Sequence, residues 1–174
     1  MTIHPDHPFL PPEGDRDPVR RLRGRMPAPV TLWATESDGD RAGLTVSSML
    51  LADGEPARVL ALVDEDSDLW DSMEQTRTAA VSLLSWRHRA LADAFAGVSP
   101  APGGPFRLTS WETTQWGPVV ADAIGWAGVR LEPGAPRHAG WALLVDAVIE
   151  HIEIVDADGD PMTHVRGRYR QPDA

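Results

Sequence analysis

Apolar and polar positions along the chain change over in short stretches, most of them too brief for long helices. From Val30 to Thr35, valine, threonine and tryptophan give a strand-like run, since β-branched and aromatic side chains suit a pleated surface. Ser37-Asp38-Gly39-Asp40 supplies turn chemistry, and a second strand is predicted from Ala42 to Leu50, the two reading as a hairpin. Asp53-Gly54 turns the chain again, and Arg58 to Val63 is an apolar strand. Ser67 is placed to cap a helix on which Leu69, Trp70 and Met73 share a face. A strand through Ala80-Val81-Ser82-Leu83-Leu84 follows. Leu91, Ala92, Ala94 and Phe95 then have helical spacing, and Gly97 is placed to end that helix.

Asp17 followed by Pro18 signals an earlier helix start, because the aspartate accepts unpaired amide hydrogens and proline's fixed φ suits the first helical position. That helix is predicted to run toward Met26, before Pro27. Residues 1–15, with Pro5, Pro8, Pro11, Pro12, His4 and His7 and little apolar periodicity, are expected to be a mobile N-terminal arm; residues 16–174 are taken as one domain. Past a Pro/Gly-rich loop from Val98 to Pro105 come Trp111 and Trp116, then three last strands: Ala123 to Leu131, Trp141 to Val155 and Pro161 to Tyr169. Strands outnumber helices and no long repeat is evident, so a mainly β barrel with short helices is the economical architecture. Periodicity alone does not separate it from a sandwich.

Composition narrows the function. At 174 residues with 42% hydrophobic residues, the chain suits a single ordinary core. Its longest apolar runs, such as Trp141 to Val145, fall far short of the ~20 residues that cross a bilayer, and no secretory leader opens it; a soluble, cytoplasmic protein without a membrane partner is expected. The absence of cysteine removes disulfides, thiolate metal sites and cysteine nucleophiles. A net charge of -10 argues against nonspecific nucleic-acid binding, which needs a basic surface to displace counterions.

Two basic clusters stand against that balance: Arg20, Arg21, Arg23 and Arg25, and Arg166, Arg168 and Arg170, whose spacing would place the last three on one strand face. Solvated faces are the ordinary reading; a phosphate-bearing ligand or a partner subunit is the sharper one. Asp156, Asp158 and Asp160 imitate the start of a calcium loop, but its twelfth position is Gly167 rather than glutamate, so a solvated turn is expected. The histidines lack a helical metal-binding pattern, and no metal is predicted. Ser47 lies in no Gly-x-Ser-x-Gly elbow, which disfavours hydrolysis. Among seven tryptophans, Trp111 and Trp116 in a polar segment are the candidates for a pocket or a dimer contact, with core burial the ordinary alternative.

In Gly43-Leu44-Thr45-Val46-Ser47-Ser48-Met49, strand alternation directs Thr45 and Ser47 to one face. A polar strand face is the plain reading. Hydroxyls and backbone amides that hold the polar edge of a flat heterocycle, or a phosphate, are the functional one. With the strand ending at Thr35, the strand ending at Asp64, Ala80 to Leu84, Leu91 to Gly97, and Arg166-Gly167-Arg168-Tyr169, this segment falls in an order that resembles the flavin reductase family of FMN-binding split β-barrel proteins, over roughly residues 18 to 170.

The resemblance implies a homodimer that binds FMN, or FAD, and reduces it with NADH or NADPH, in many relatives for a partner monooxygenase. Thr45, Val46, Ser47 and Ser48 would contact the isoalloxazine and ribityl chain, with Asp64, Ser67, Ser82, Leu83, Phe95 and Gly97 as further cofactor-binding candidates. Hydride passes to flavin N5, so the protein has to stack the nicotinamide on the ring and exclude water, and no catalytic acid or base is assigned. Where relatives carry Asp-Arg-Ser-Ser-x-Thr, this chain has Asp64-Glu65-Asp66-Ser67-Asp68-Leu69, and their Gly-Asp-His turn is replaced by Ala139-Gly140-Trp141, with His138 out of register. A non-catalytic flavin-binding or dimeric interaction domain with a degenerate phosphate site is therefore the alternative.

Overall fold

The run beginning at Val30 does not alternate because both faces of its strand are covered. In the computed structural model, which describes residues 17–134, 136–155 and 160–171, the chain forms, in order, α1 (Pro18–Arg23), β1 (Ala28–Pro29), β2 (Thr31–Ser37), β3 (Asp40–Val46), β4 (Met49–Ala52), β5 (Arg58–Val63), α2 (Asp68–Thr76), β6 (Thr78–Leu83) and α3 (Arg89–Phe95). There follow β7 (Trp111–Thr114), β8 (Gly117–Val120), β9 (Gly125–Leu131), β10 (Arg137–Ala139), β11 (Ala142–Ile154), β12 (Thr163–Val165) and β13 (Arg168–Arg170). β2 and β6 pair antiparallel in mid-sheet, and the first five residues of each are buried. The arm expected over residues 1–15 and most of the acidic turn at Asp156 lie outside the described residues.

The main sheet runs β3-β2-β6-β9-β11-β5-β4, with β10 added to β11. β3 and β4 sit at its opposite edges, yet only Ser47 and Ser48 separate them in the chain. Two residues span roughly 7 Å, so the sheet must curl until its edges meet. The result is a mainly β half-barrel with short helices.

Inside the curl, Trp33, Val59, Val63, Leu69, Met73, Val129 and Val145 form one core, to which α2 contributes its apolar face. On the other face of β2 and β6, α3 closes a second core of Leu32, Leu84, Leu91, Phe95, Val120 and Met162. The helices follow their local signals. The Ser67 hydroxyl accepts from Trp70 N at α2, Asp17 accepts from Val19 N and Arg20 N at α1, and Gly97 follows α3 with φ 68°.

Three expectations are corrected. The strand predicted from Ala42 to Leu50 is two strands, because the chain changes partners between them: β3 pairs with β2 and β4 with β5. The strand predicted from Pro161 to Tyr169 is a hairpin, β12 and β13, turned by Arg166 and Gly167 at φ 52° and 74°. Arg166 thus lies in the turn and does not share a strand face with Arg168 and Arg170. The third is an omission: the β7–β8 hairpin, on which Trp111 and Trp116 lie, has no counterpart among the predicted strands.

A short 3-10 turn (Trp86–His88) joins β6 to α3, and His88 fixes it. Its Nδ1 accepts from Ser85 N at 3.1 Å, so Nε2 carries the proton and donates to Asp122 Oδ1 at 3.0 Å. Partial burial alone would raise the Asp122 carboxyl, but the hydrogen bond from His88, with the charge of Arg87, outweighs it and holds the group below its usual 3.8. The folded chain therefore binds this proton less readily than the unfolded one. The stabilisation is complete above about pH 4 and is lost as pH falls through the depressed value. Because the carboxylate is half-exposed, its worth is under ~1 kcal/mol. Thermal melts from pH 6 to pH 3 are expected to show a shallower acid loss in Asp122→Asn than in the parent chain.

Candidate functional site

At Ser47–Ser48 the chain crosses from one edge of the curled sheet to the other. On its β2 side, Thr31 Oγ1 donates to Val46 O at 2.6 Å and approaches Met49 Sδ at 3.4 Å. On its β5 side, Leu62 N donates to Ser48 O at 2.8 Å. The chain is thus pinned at both edges. Ser47 and Ser48 remain half-buried, and among the described residues neither hydroxyl makes a hydrogen bond. Two free hydroxyls beside backbone that has left one ladder and not yet joined the next can receive a polar heterocycle.

Two further segments come to this end of the sheet. β5 ends at Val63 and passes through Asp64–Ser67 into α2; Val63 pairs with Leu143, two residues from the tip of the β10–β11 hairpin. At that tip Gly140 has φ 65° and Trp141 is 94% exposed. His138 Nδ1 lies 3.8 Å from Glu65 Oε2, which ties the hairpin to the loop before α2. Nothing in the spacing of His138 and Glu65 announced this contact. The exposed Trp141 could have been found from its place after Gly140 between two strand-like runs.

The structure divides the ten residues singled out from the sequence. Ser47, Ser48, Asp64, Ser67 and Leu83 are half-buried. Ser67 uses its hydroxyl for the cap, donating to Asp64 O at 2.6 Å and accepting from Trp70 N. Thr45 turns toward α3 and donates to Ala92 O at 2.8 Å. Ser82 is buried and its Oγ accepts from Val120 N, Val46 belongs to the inner core, and Phe95 packs in the second core against Phe106 and Trp111. Gly97 is exposed beyond α3. The two suspected tryptophans are also committed: Trp111 Nε1 donates to Phe106 O, and Trp116 covers Gly128, stacks on His151 and donates to Glu150 Oε2.

Electrostatics distinguish two parts of this region. The serine break is neutral, whereas Asp64, Glu65, Asp66 and Asp68 crowd the start of α2. A phosphate brought within ~4 Å of each carboxylate would meet roughly 1 kcal/mol of repulsion per charge pair even in water. Leu69 is fully buried in the inner core and offers a ligand no hydroxyl. The neutral, hydroxyl-bearing break suits an uncharged polar ring, and the carboxylates at the α2 start disfavour a phosphate there.

The curled half-barrel sheet, flanked by short helices and shared with solved flavin reductases, places the chain in the split-barrel class. The chain belongs to the flavin reductase like domain family, whose model matches residues 23–173. It is 28% identical over 159 residues to an FMN reductase (NADH) RutF 1 of Methylorubrum extorquens, covering 90% of this chain and 76% of that protein. It is 30% identical over 165 residues to an NADPH-flavin oxidoreductase of Streptomyces viridifaciens, covering 88% of this chain and 81% of that one. Among solved structures, flavin reductase PheA2 superposes with a TM-score of 0.80 at 24% identity, over 91% of this chain and all of that chain. The NADH:FAD oxidoreductase SgcE6 of Streptomyces globisporus C-1027 gives 0.80 at 22%, over 95% and 98%.

Proposed function

We propose that the chain is a flavin reductase, passing hydride from NADH or NADPH to FMN or FAD. The observation that carries this reading is the Ser47–Ser48 break between the sheet edges, in a member of a family whose relatives bear that activity by name. Bound flavin supplies the hydride acceptor. The Ser47 and Ser48 hydroxyls and neighbouring amides hold the polar edge of the ring, and the β10–β11 tip with Trp141 narrows access for water from the other side. No side chain of the site has to move a proton. The test is an absorbance spectrum of the purified protein with FMN, then NADH: bleaching of bound flavin and catalysed NADH oxidation are expected, and neither would occur if the reading were wrong. Ser47→Val with Ser48→Val is expected to raise the flavin KM about tenfold through lost hydrogen bonds while leaving the fold's melting temperature nearly unchanged.

Homodimerisation belongs to the same reading. Leu50 is 70% exposed on the edge strand β4, and Leu62, on the same face of the neighbouring β5, is exposed beside it. Apolar residues grouped this way on an edge favour a second copy over solvent. Light scattering is expected to give twice the 18.9 kDa chain mass. Delivery of reduced flavin to a monooxygenase component is supported by the split-barrel neighbour described as nitrilotriacetate monooxygenase component B. The carboxylates before α2 favour the second reading, flavin binding without turnover, and rapid NADH-dependent reduction would remove it.

A further inference from the structure

The two arginine clusters, separated by more than a hundred residues in the chain, meet in the fold. Arg166 N donates to Gly24 O at 2.6 Å, which sets the β12–β13 turn against the end of α1, and β1 pairs with β12 beside it. Arg20, Arg21, Arg23, Arg25, Arg166, Arg168 and Arg170 thus share one region, seven of the chain's sixteen cationic residues. All but the half-buried Arg20 are exposed, and among the described residues none is in an ion pair. The field is felt locally: burial, and then the charge of Arg23, hold His164 below its usual 6.5.

Apolar side chains are set among the charges. α1 buries none of its residues: Val19 (72% exposed) and Leu22 lie one turn apart on it, and Met26, in the bend three residues past its end, is exposed as well. Like charges gathered without partners cost folding stability, and apolar side chains left in water gain nothing. Both are relieved together by a surface that is acidic and carries apolar side chains.

We propose that this face docks an acidic surface of a partner protein, with Val19, Leu22 and Met26 as its apolar contacts and the seven arginines as its charge match. Three features favour a protein over other anions. The patch is bounded, in a chain of net charge -10, so a long polyanion would overrun it onto repelling surface. A helix of six residues is too short to lie in a membrane interface as an amphipathic anchor. The apolar side chains have no role in holding a small phosphate.

The test uses the full chain and two labelled peptides of equal negative charge, oligo-glutamate and a glutamate peptide with leucine at every third position, followed by fluorescence anisotropy. Both should bind, more weakly as salt rises, and the leucine peptide about tenfold more tightly. Arg21→Glu with Arg166→Glu and Arg168→Glu should abolish both interactions, and Val19→Ser with Leu22→Ser should remove only the leucine peptide's advantage. The control Arg89→Glu with Arg107→Glu should change neither, and circular dichroism should show each variant folded. NADH oxidation with flavin should persist in the patch variants. Equal loss in the control, no difference between the peptides, tighter patch-dependent binding to phosphatidylglycerol vesicles, or a fall in FMN affinity with unchanged peptide binding would each overturn the proposal.

Discussion

Replacing Gly117 with alanine is expected to cost about 3 kcal/mol or more of folding stability, because two penalties fall on one methyl group. At φ 138° the backbone conformation is one that side chains rarely adopt. The added Cβ would also stand 2.5 Å from Ala34 O and 2.8 Å from Thr35 Cα. Those are main-chain atoms of β2, buried on both faces, so neither can withdraw as a flexible side chain would. Relief requires β8 to lift away, and with it the Val120 N–H that satisfies the buried Ser82 hydroxyl. Gly39 gives the comparison. Its φ is 88° and nothing lies within 4 Å of the position a Cβ would take, so Gly39→Ala bears the conformational penalty alone, about 1 kcal/mol. Urea unfolding of both variants separates the terms. Equal losses would mean that the hairpin is not pressed against β2.

That hairpin is also where the sequence is least legible. β7 reads Trp-Glu-Thr-Thr and β8 contains Pro118, so neither shows the alternation or the proline-free run that marks a strand. By contrast α2, α3 and β5 can be placed because their signals are local: a serine three residues before the amide it caps, a glycine just past a helix, six residues of apolar strand. The break between β3 and β4 shows the limit from the other direction. Two adjacent serines break the alternation by a single residue, a trace no different from a polar strand face, and the change of partner strand, which is a tertiary fact, is what divides the run. The β12–β13 turn is hidden because arginine, not glycine or asparagine, takes its first left-handed position.

The site is legible to the same degree. Ser47 and Ser48 can be named through family order, but what Thr45 and Ser82 do cannot, because their partners lie 47 and 38 residues away. A hydroxyl facing a ligand and a hydroxyl bonding a distant carbonyl leave the same trace in sequence. The acidic loop is different: four carboxylates in five residues at a helix start are plain from the order of residues alone. The fold adds that Glu65 also reaches His138 on the hairpin, so the charge lies beside that hairpin.

Glu65→Arg with Asp66→Ser should therefore strengthen FMN binding about thirtyfold, roughly 2 kcal/mol, while changing riboflavin affinity little. The substitutions remove two negative charges and add a positive one beside an α2 start whose unpaired amides already favour an anion. Both side chains are exposed, so most of the Coulomb energy is screened, which keeps the expected gain well below the dry-interior limit. The same screening supplies a check: the gain should shrink as ionic strength rises from about 0.01 M to 1 M, where the Debye length falls from about 30 to 3 Å. Riboflavin lacks the phosphate and isolates the contribution of ring and ribityl chain, which the proposed reading assigns to the serine break. Equal FMN affinity in the parent and the variant would place the phosphate away from α2. A parallel rise for riboflavin would mean that the loop acts on the ring, through the Glu65 and His138 contact, instead of on the phosphate.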